Sequence, residues 1–448
     1  MVPFRIRNSL GAAPRKDANF GFGTTGVVAN VDKRCQLVHG WVMSSKPADA
    51  AALLKQGSFV FFLLSRSLSR FSSQIAAVAI GWQVYELTGS AFDLGMVGLV
   101  QFLPTALLLF VAGQVADRFE RKRVVQLCQV AQALTGVFLA VSTWAGWLTE
   151  LQIFIATFVL GTAAAFESPA TAALLTLVAP PGGLQRATAI SSGAAQLATI
   201  TGPALGGVAY ALMPSLPYGI IAVFSVLASL CAGRIAVTAP VSPKDTATAD
   251  DLFAGVKFVR DNSDILGVIS LDLFAVLLGG ATALLPIYAR DILQTGSLGL
   301  GILRAAPAIG ALGMTTVLAR HAISRHVGMR MFQAVIVFGA ATVVFALSHW
   351  MWLSVLALAI LGAADTVSVV IRFSLVQLST PNDMRGRVGA VNFLFINASN
   401  QLGQFESGVV AALLGAVPAA VLGGVGTIAI ALLWMKLFPS LRKVQRLE

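Results

Sequence analysis

The feature that most constrains this chain is a series of long, unbroken apolar stretches, each about 20 residues or more, the length that crosses a bilayer as a helix. Only helices and closed barrels satisfy every backbone group in hydrocarbon. A barrel would show period-2 alternation in segments of about ten residues, and these stretches do not alternate. Charged residues make up 11% of the chain, against roughly 25% in soluble proteins. That is too few to coat a water-facing surface, and the outer surface is expected to face lipid. The expected spans are residues 59–85, 92–115, 124–147, 151–178, 188–212, 217–236, 265–289, 298–319, 331–348, 351–377, 389–412 and 417–437. The fold class is an all-α membrane protein with twelve transmembrane helices in two six-helix bundles.

The punctuation between spans divides the chain. Residues 1–57 read as a cytoplasmic extension without a signal peptide, with residues 1–42 either disordered or lying ahead of a start at Met43. Residues 58–236 form the first bundle. Residues 237–264, with Pro240 and Pro243, form a linker carrying a surface helix from Asp250 to Arg260. Residues 265–438 form the second bundle, and 439–448 a tail. Placing both ends on one side puts 26 of the 31 Lys and Arg residues there, with Arg290 alone opposite and four inside spans. Cytoplasmic loops concentrate basic residues, so both termini are expected in the cytoplasm. The net charge of +11 is then an orientation signal and no nucleic-acid footprint. Trp82, Trp144, Trp147, Trp350 and Trp352 read as interfacial anchors, and Trp434 as lipid-facing.

Cys35, Cys128 and Cys231 fit no metal or disulfide spacing, and the four histidines are scattered. No metal, cofactor or nucleophile–base pair is expected, which argues against an enzyme. The two halves repeat instead. A shift of 201 residues aligns Gly161 with Gly362, Pro180 with Pro381, Arg186 with Arg387, Gly202 with Gly403 and Gly207 with Gly408. Internal symmetry of this kind points to a transporter with its site between repeats near mid-membrane.

The loop after span 2 runs from Gly113 through Asp117, Arg118, Glu120, Arg121, Lys122 and Arg123 in the order G-Q-V-A-D-R-F-E-R-K-R. It resembles the G-x-x-x-D-R-x-G-R-R/K motif of the major facilitator superfamily, with Glu120 where the general pattern has Gly. This variant is similar to a subgroup that includes enterobactin exporters and drug and macrolide efflux proteins. The segments from Thr380 to Val388 and from Asn400 to Gly408 resemble the loop before span 11 and span 11 itself in that subgroup. The resemblance covers residues 58–440 and implies the major facilitator fold, a monomer, and a bacterial inner-membrane location.

The resemblance also implies roles. Gly113, Asp117, Arg118 and Arg121 would form a conformational gate, with Gly113 allowing close helix approach and Asp117 facing the positive end of span 11. The basic residues could alternatively serve orientation alone. Gly202, Pro203, Gly206 and Gly207 match the end of the family's antiporter motif, which accompanies export, although Ala189 and Ala198 replace its upstream glycines. A packing kink without directional meaning is the alternative.

Ionisable residues deep in a span are costly, about 2.5–3.5 kcal/mol each on insertion scales, and are usually functional. Arg66 and Arg70 lie in span 1, Glu167 in span 4, Asp272 in span 7, and Asp365 and Arg372 in span 10. Those four spans line the cavity in this superfamily. Asp365, Glu167 and Asp272 are the proton-coupling candidates. Arg66, Arg70 and Arg372 are counter-charges or contacts for an anionic substrate group. Static salt bridges are the competing role. Glu406 in span 11 reads as structural, and Arg304 lies in the outer part of span 8. The expected activity is proton-coupled export of a small amphipathic compound such as a drug or siderophore. A facilitator-type importer or lysophospholipid flippase on the same fold is the alternative, and a transport-dead sensor a further one. Expected partners are the bilayer, a small-molecule substrate and protons.

Overall fold

Every expected stretch is helical in the computed structural model, which describes residues 53–180, 182–236, 249–321, 325–381 and 384–445, without the side chains of 109, 110, 117 and 249–252. Expectations for residues 1–52 and for the linker up to residue 248 lie outside the described residues. All described residues belong to one compact unit. The first half contains α1 (Gly57–Thr88), α2 (Ala91–Leu107), α3 (Leu109–Arg118), α4 (Arg121–Trp144), α5 (Glu150–Val178), α6 (Leu184–Leu212) and α7 (Leu216–Gly233). A surface helix, α8 (Ala249–Asp261), follows. The second half contains α9 (Ser263–Leu278), α10 (Gly296–Arg320), α11 (Val327–Leu347), α12 (Met351–Ser379), α13 (Arg385–Leu414), α14 (Ala416–Leu437) and the short α15 (Pro439–Lys443).

Local chemistry sets the helix ends. Gly89 follows α1 with φ +62° and donates its N–H to the Tyr85 carbonyl, a glycine stop. Ser90 then caps α2 by accepting from the Asp93 N–H. Thr149 and Gln152 form a reciprocal capping box at the start of α5. Two expected spans are not single helices. The second breaks at Leu108, beyond Pro104, which lies inside α2. The seventh ends its regular helix at Leu278. Gly279, Gly280 and Pro286 then impose a 3₁₀ turn (Ala281–Leu284), a single α-turn (Leu285–Ile287) and a π-turn (Tyr288–Ile292).

Among the described residues eight segments, Ser263–Ile292 counted as one, are long and apolar enough to cross a membrane. The other expected spans are α1, α2 with α3, α6 and α13. Three of these carry the polar chemistry: Arg66, Arg70 and several serines in α1, Ser191 and Thr199 in α6, and Asn397, Asn400 and Gln404 in α13. α2 is short because its span is broken.

The repeat is visible in the packing. α1 packs on α6 and α7, α4 on α5 and α7, and α2 on α5. The second half repeats this, with α9 on α13 and α14, α11 on α12 and α14, and α10 on α12. The halves meet along α6–α10 and α2–α13. The glycine register has a cause here. A Cβ at Gly161 would lie 2.7 Å from the Gln101 carbonyl of α2, and one at Gly362 would strike Pro307 of α10. Gly202 and Gly403 sit against α1 and α9, and Gly207 and Gly408 at the two seams between halves. Each matched pair occupies an equivalent helix crossing.

The sides of the molecule differ. On the near side, where α1 begins, the apolar clusters are separate: one around Phe59, Val125 and Ile235 belongs to the first half, another around Val327, Val388 and Leu441 to the second. On the far side one cluster joins Tyr85 and Leu94 to Leu284, Tyr288 and Leu303. Trp434 is a correction. It is buried at 9% exposure, donates Nε1–H to Ser270 Oγ at 3.0 Å and stacks near Phe274. Trp144, Trp350 and Trp352 are exposed.

Candidate functional site: a cavity in the first half and a charge triad in the second

A cavity of about 750 Å³ opens within the first half, in the range of small-molecule sites. Its walls include Arg66, Arg70, Gln101, Gln132, Glu167 and Thr199. It runs from Ile80 and Val97 toward Thr176 and Leu184 at the near-side helix ends. The helical period of α1 explains the polarity. Ser65, Ser69 and Ser72 recur at one face and turn inward, and Arg66, Ser69, Arg70, Ser72 and Ser73 line the cavity.

Glu167 is held entirely by neutral donors. Ser69 Oγ donates to it at 2.7 Å, Gln129 Nε2 at 3.0 Å and Gln132 Nε2 at 2.7 Å, so both carboxylate oxygens accept. Ser65 and Gln129 exchange hydrogen bonds behind it. This network ties α1, α4 and α5 together. Arg66 donates to Ser191 Oγ at 2.7 Å and Arg70 to Thr199 Oγ1 at 3.4 Å, both on α6. None of the ion pairs among the described residues joins Arg66, Arg70 or Glu167 to an opposite charge.

The second half holds the other charges. Arg372 of α12 forms an ion pair with Asp272 of α9, and its second guanidinium nitrogen lies 3.8 Å from Asp365. The Arg372 and Asp272 side chains are 9% and 11% exposed, while Asp365 is 45% exposed. The three residues and Ser368 line a small cleft, and Ser368 Oγ is buried without a hydrogen-bond partner. The residues picked out in spans 7 and 10 therefore converge. Arg372 is neutralised there and does not line the larger cavity.

The hydrogen bonds and ion pair described for the gate loop stay within the first half. Arg121 Nε donates to the Ala116 carbonyl at 3.4 Å, Lys122 Nζ to the Ile235 carbonyl at 3.2 Å, and Arg123 pairs with Glu120 at 2.6 Å. Arg118 is exposed at the end of α3. A Cβ at Gly113 would meet nothing within 4 Å among the described residues. The close approach expected there is absent in this conformation, whose near-side clusters are separate. The Asp117 side chain lies outside what is described. In α6, which runs unbroken through Pro203, Gly206 faces Ile75 of α1 and Gly207 faces Ser297 and Gly301 of α10.

A far-side latch joins the halves. The Tyr85 hydroxyl donates to Asp291, Arg290 donates to the Tyr85 carbonyl at 2.9 Å, and the Arg290 guanidinium sits 5.3 Å from the Tyr85 ring centre. Phe92 meets Phe405 edge-on at 6.3 Å beside it. Sequence reasoning marked Arg290 as the lone basic residue on that side but missed Tyr85 and Asp291. It also missed Ser69, Gln129 and Gln132, although two glutamines three apart in an apolar helix were a usable signal.

Residues 48–447 match the transmembrane secretion effector family of the major facilitator superfamily. The chain is 24% identical over 390 residues to the enterobactin exporter EntS of Citrobacter koseri, covering 87% of this chain and 94% of that protein. It is 24% identical over 377 residues to the multidrug efflux pump Tap of Mycolicibacterium fortuitum, covering 80% and 90%. Among solved structures, the nucleoside transporter NupG superposes with a TM-score of 0.69 at 15% identity, covering 85% of this chain and 100% of that one. A bacterial homologue of the lysosomal transporter Spinster superposes with a TM-score of 0.66 at 12% identity, covering 86% and 95%. These structures share the fold. The family and the relatives are multi-pass membrane transporters and not enzymes. The chain belongs to the transmembrane secretion effector family of major facilitator transporters.

Proposed function

We propose that the chain is a proton-coupled exporter (an antiporter) of a small amphipathic compound such as a drug or siderophore. It works by alternating access, as a monomer, in a bacterial inner membrane with both termini in the cytoplasm. The relatives named above are an exporter and an efflux pump, which favours export. The observation that carries the coupling is the triad. Two carboxylates share Arg372, so the fully ionised triad holds one excess negative charge and a single proton neutralises it. Asp272 is enclosed with Arg372, whereas Asp365 is the more exposed of the two carboxylates. In this reading Asp365 carries the proton, Asp272 fixes Arg372, and Glu167 is a second carrier candidate in the first half.

The conformation described is sealed on the far side and takes up substrate from the near, cytoplasmic side. Opening the far side breaks the Tyr85–Asp291 latch. Closing the near side brings the loop with Gly113, Asp117, Arg118 and Arg121 against α13. Gly202, Pro203, Gly206 and Gly207 keep α6 close to α1 and α10 while the halves rock.

The test is proton flux in proteoliposomes with a pH-sensitive dye, screened against siderophores, macrolides and cationic dyes. Proton movement that appears only with substrate supports antiport. Substrate movement without proton flux would favour a facilitator or a lysophospholipid flippase.

A further inference from the structure

The charges of spans 1, 4, 7 and 10 divide unequally between the halves. In the second half Asp272 and Asp365 both face Arg372. In the first half Arg66 and Arg70 face only hydroxyls, Ser191 and Thr199, and Glu167 accepts only from neutral groups. Two like charges four apart on a helix repel each other, and among the described residues neither arginine is in an ion pair. Both guanidiniums border the cavity, so a ligand can reach them.

The surroundings define that ligand. Ser191 and Thr199 are eight residues apart, about 12 Å along α6, so the two guanidiniums spread along a strip and do not converge on one point. Farther along α1 the wall becomes apolar through Ala76, Ala77 and Ile80. Ile80 lies ten residues beyond Arg70, about 15 Å of helix rise. Glu167, on the α5 wall, disfavours a second anionic group on that side.

We infer that Arg66 and Arg70 form an anion subsite, and that the substrate is an amphipathic organic anion. Its carboxylate, sulfonate, phosphate or phenolate oxygens lie along the strip toward α6, and its apolar body points to the far side. This deepens the proposed export function, on which it rests for calling the ligand a substrate. The shared chemistry could come from a soluble aryl anion or from the headgroup of a single-chain lipid.

The experiment uses the full chain in lipid nanodiscs and two xanthene dyes of matched size, anionic fluorescein and cationic rhodamine 123, followed by fluorescence anisotropy. Fluorescein binds more tightly than rhodamine 123. Its Kd weakens about tenfold or more in Arg66→Gln/Arg70→Gln. The Arg66→Lys/Arg70→Lys variant, which keeps the charge, restores binding to within about threefold. Displacement by 1-naphthoate assigns a soluble anion, and displacement by lysophosphatidylglycerol a lipid headgroup. Absence of arginine-dependent fluorescein binding, or tighter binding of rhodamine 123 to the unaltered chain, overturns the subsite. The dye preference of the unaltered chain decides the matter even where the glutamine variant fails to fold. Substrate-triggered proton flux without the anion preference defeats the subsite and leaves the transport reading standing. Arginine-dependent fluorescein binding without any transport does the reverse.

Discussion

Asp272 and Arg372, 100 residues apart in the chain, form an ion pair in the interior of the second bundle, with Asp365, the more exposed carboxylate, 3.8 Å from the same guanidinium. Removing one partner of a buried pair strands the other charge, at about 3–5 kcal/mol. Asp272→Asn is therefore expected to lower thermal stability in detergent sharply. Asp365→Asn leaves the enclosed pair intact and is expected to unfold within a few degrees of the unaltered protein while losing proton coupling. Thermal unfolding of the two variants side by side separates the roles.

Glu167→Gln sets an amide against groups that all donate to the carboxylate. At least one of the Ser69, Gln129 and Gln132 donors then loses its acceptor, at about 1–3 kcal/mol. Unfolding measurements should show that loss. Glu167→Ala is expected to be worse, because all three donors lose their acceptor.

The seam glycines give a contrast with the gate glycine. A Cβ at Gly207 would lie 2.5 Å from the Ser297 carbonyl, so Gly207→Val is expected to destabilise by about 1–3 kcal/mol through overpacking. Among the described residues nothing lies within 4 Å of a Cβ at Gly113. Gly113→Leu should leave thermal stability nearly unchanged and still depress transport, since the clash arises only when the near side closes. A Gly113→Leu variant that transports normally would remove Gly113 from the gate.

The far-side latch predicts a population shift. Tyr85→Phe removes the hydroxyl that donates to Asp291 but keeps the ring beneath Arg290. Spin labels at Gly146 and Trp350, on far-side turns of the two halves, are expected to show a larger share of long distances in Tyr85→Phe. An unchanged distance distribution would show that the latch does not hold the far side.

Much of the fold was legible because apolar length and glycine spacing are local properties. The repeat register of Gly161 with Gly362 and Gly207 with Gly408 reported helix crossings directly. The break in the seventh span was also written in Gly279, Gly280 and Pro286, although the hydropathy of the whole segment masked it. The site was legible only in part. Arg372 read as a counter-charge or a substrate contact, with a static salt bridge as the competing role, because its partner Asp272 is on another helix and pairing across helices depends on packing that no local pattern reveals. The Ser69–Glu167 contact spans 98 residues for the same reason. Trp434 looked lipid-facing because an indole near a helix end often is, but Ser270 supplies the buried acceptor for its N–H.

The most direct test of the account is substrate accumulation driven by an imposed pH gradient in proteoliposomes, comparing the unaltered chain with Asp365→Asn. Gradient-driven accumulation is expected in the unaltered chain, and only downhill exchange, without proton movement, in the variant. Equal accumulation by both would contradict Asp365 as the proton carrier, and no response to the gradient in either would contradict proton coupling itself.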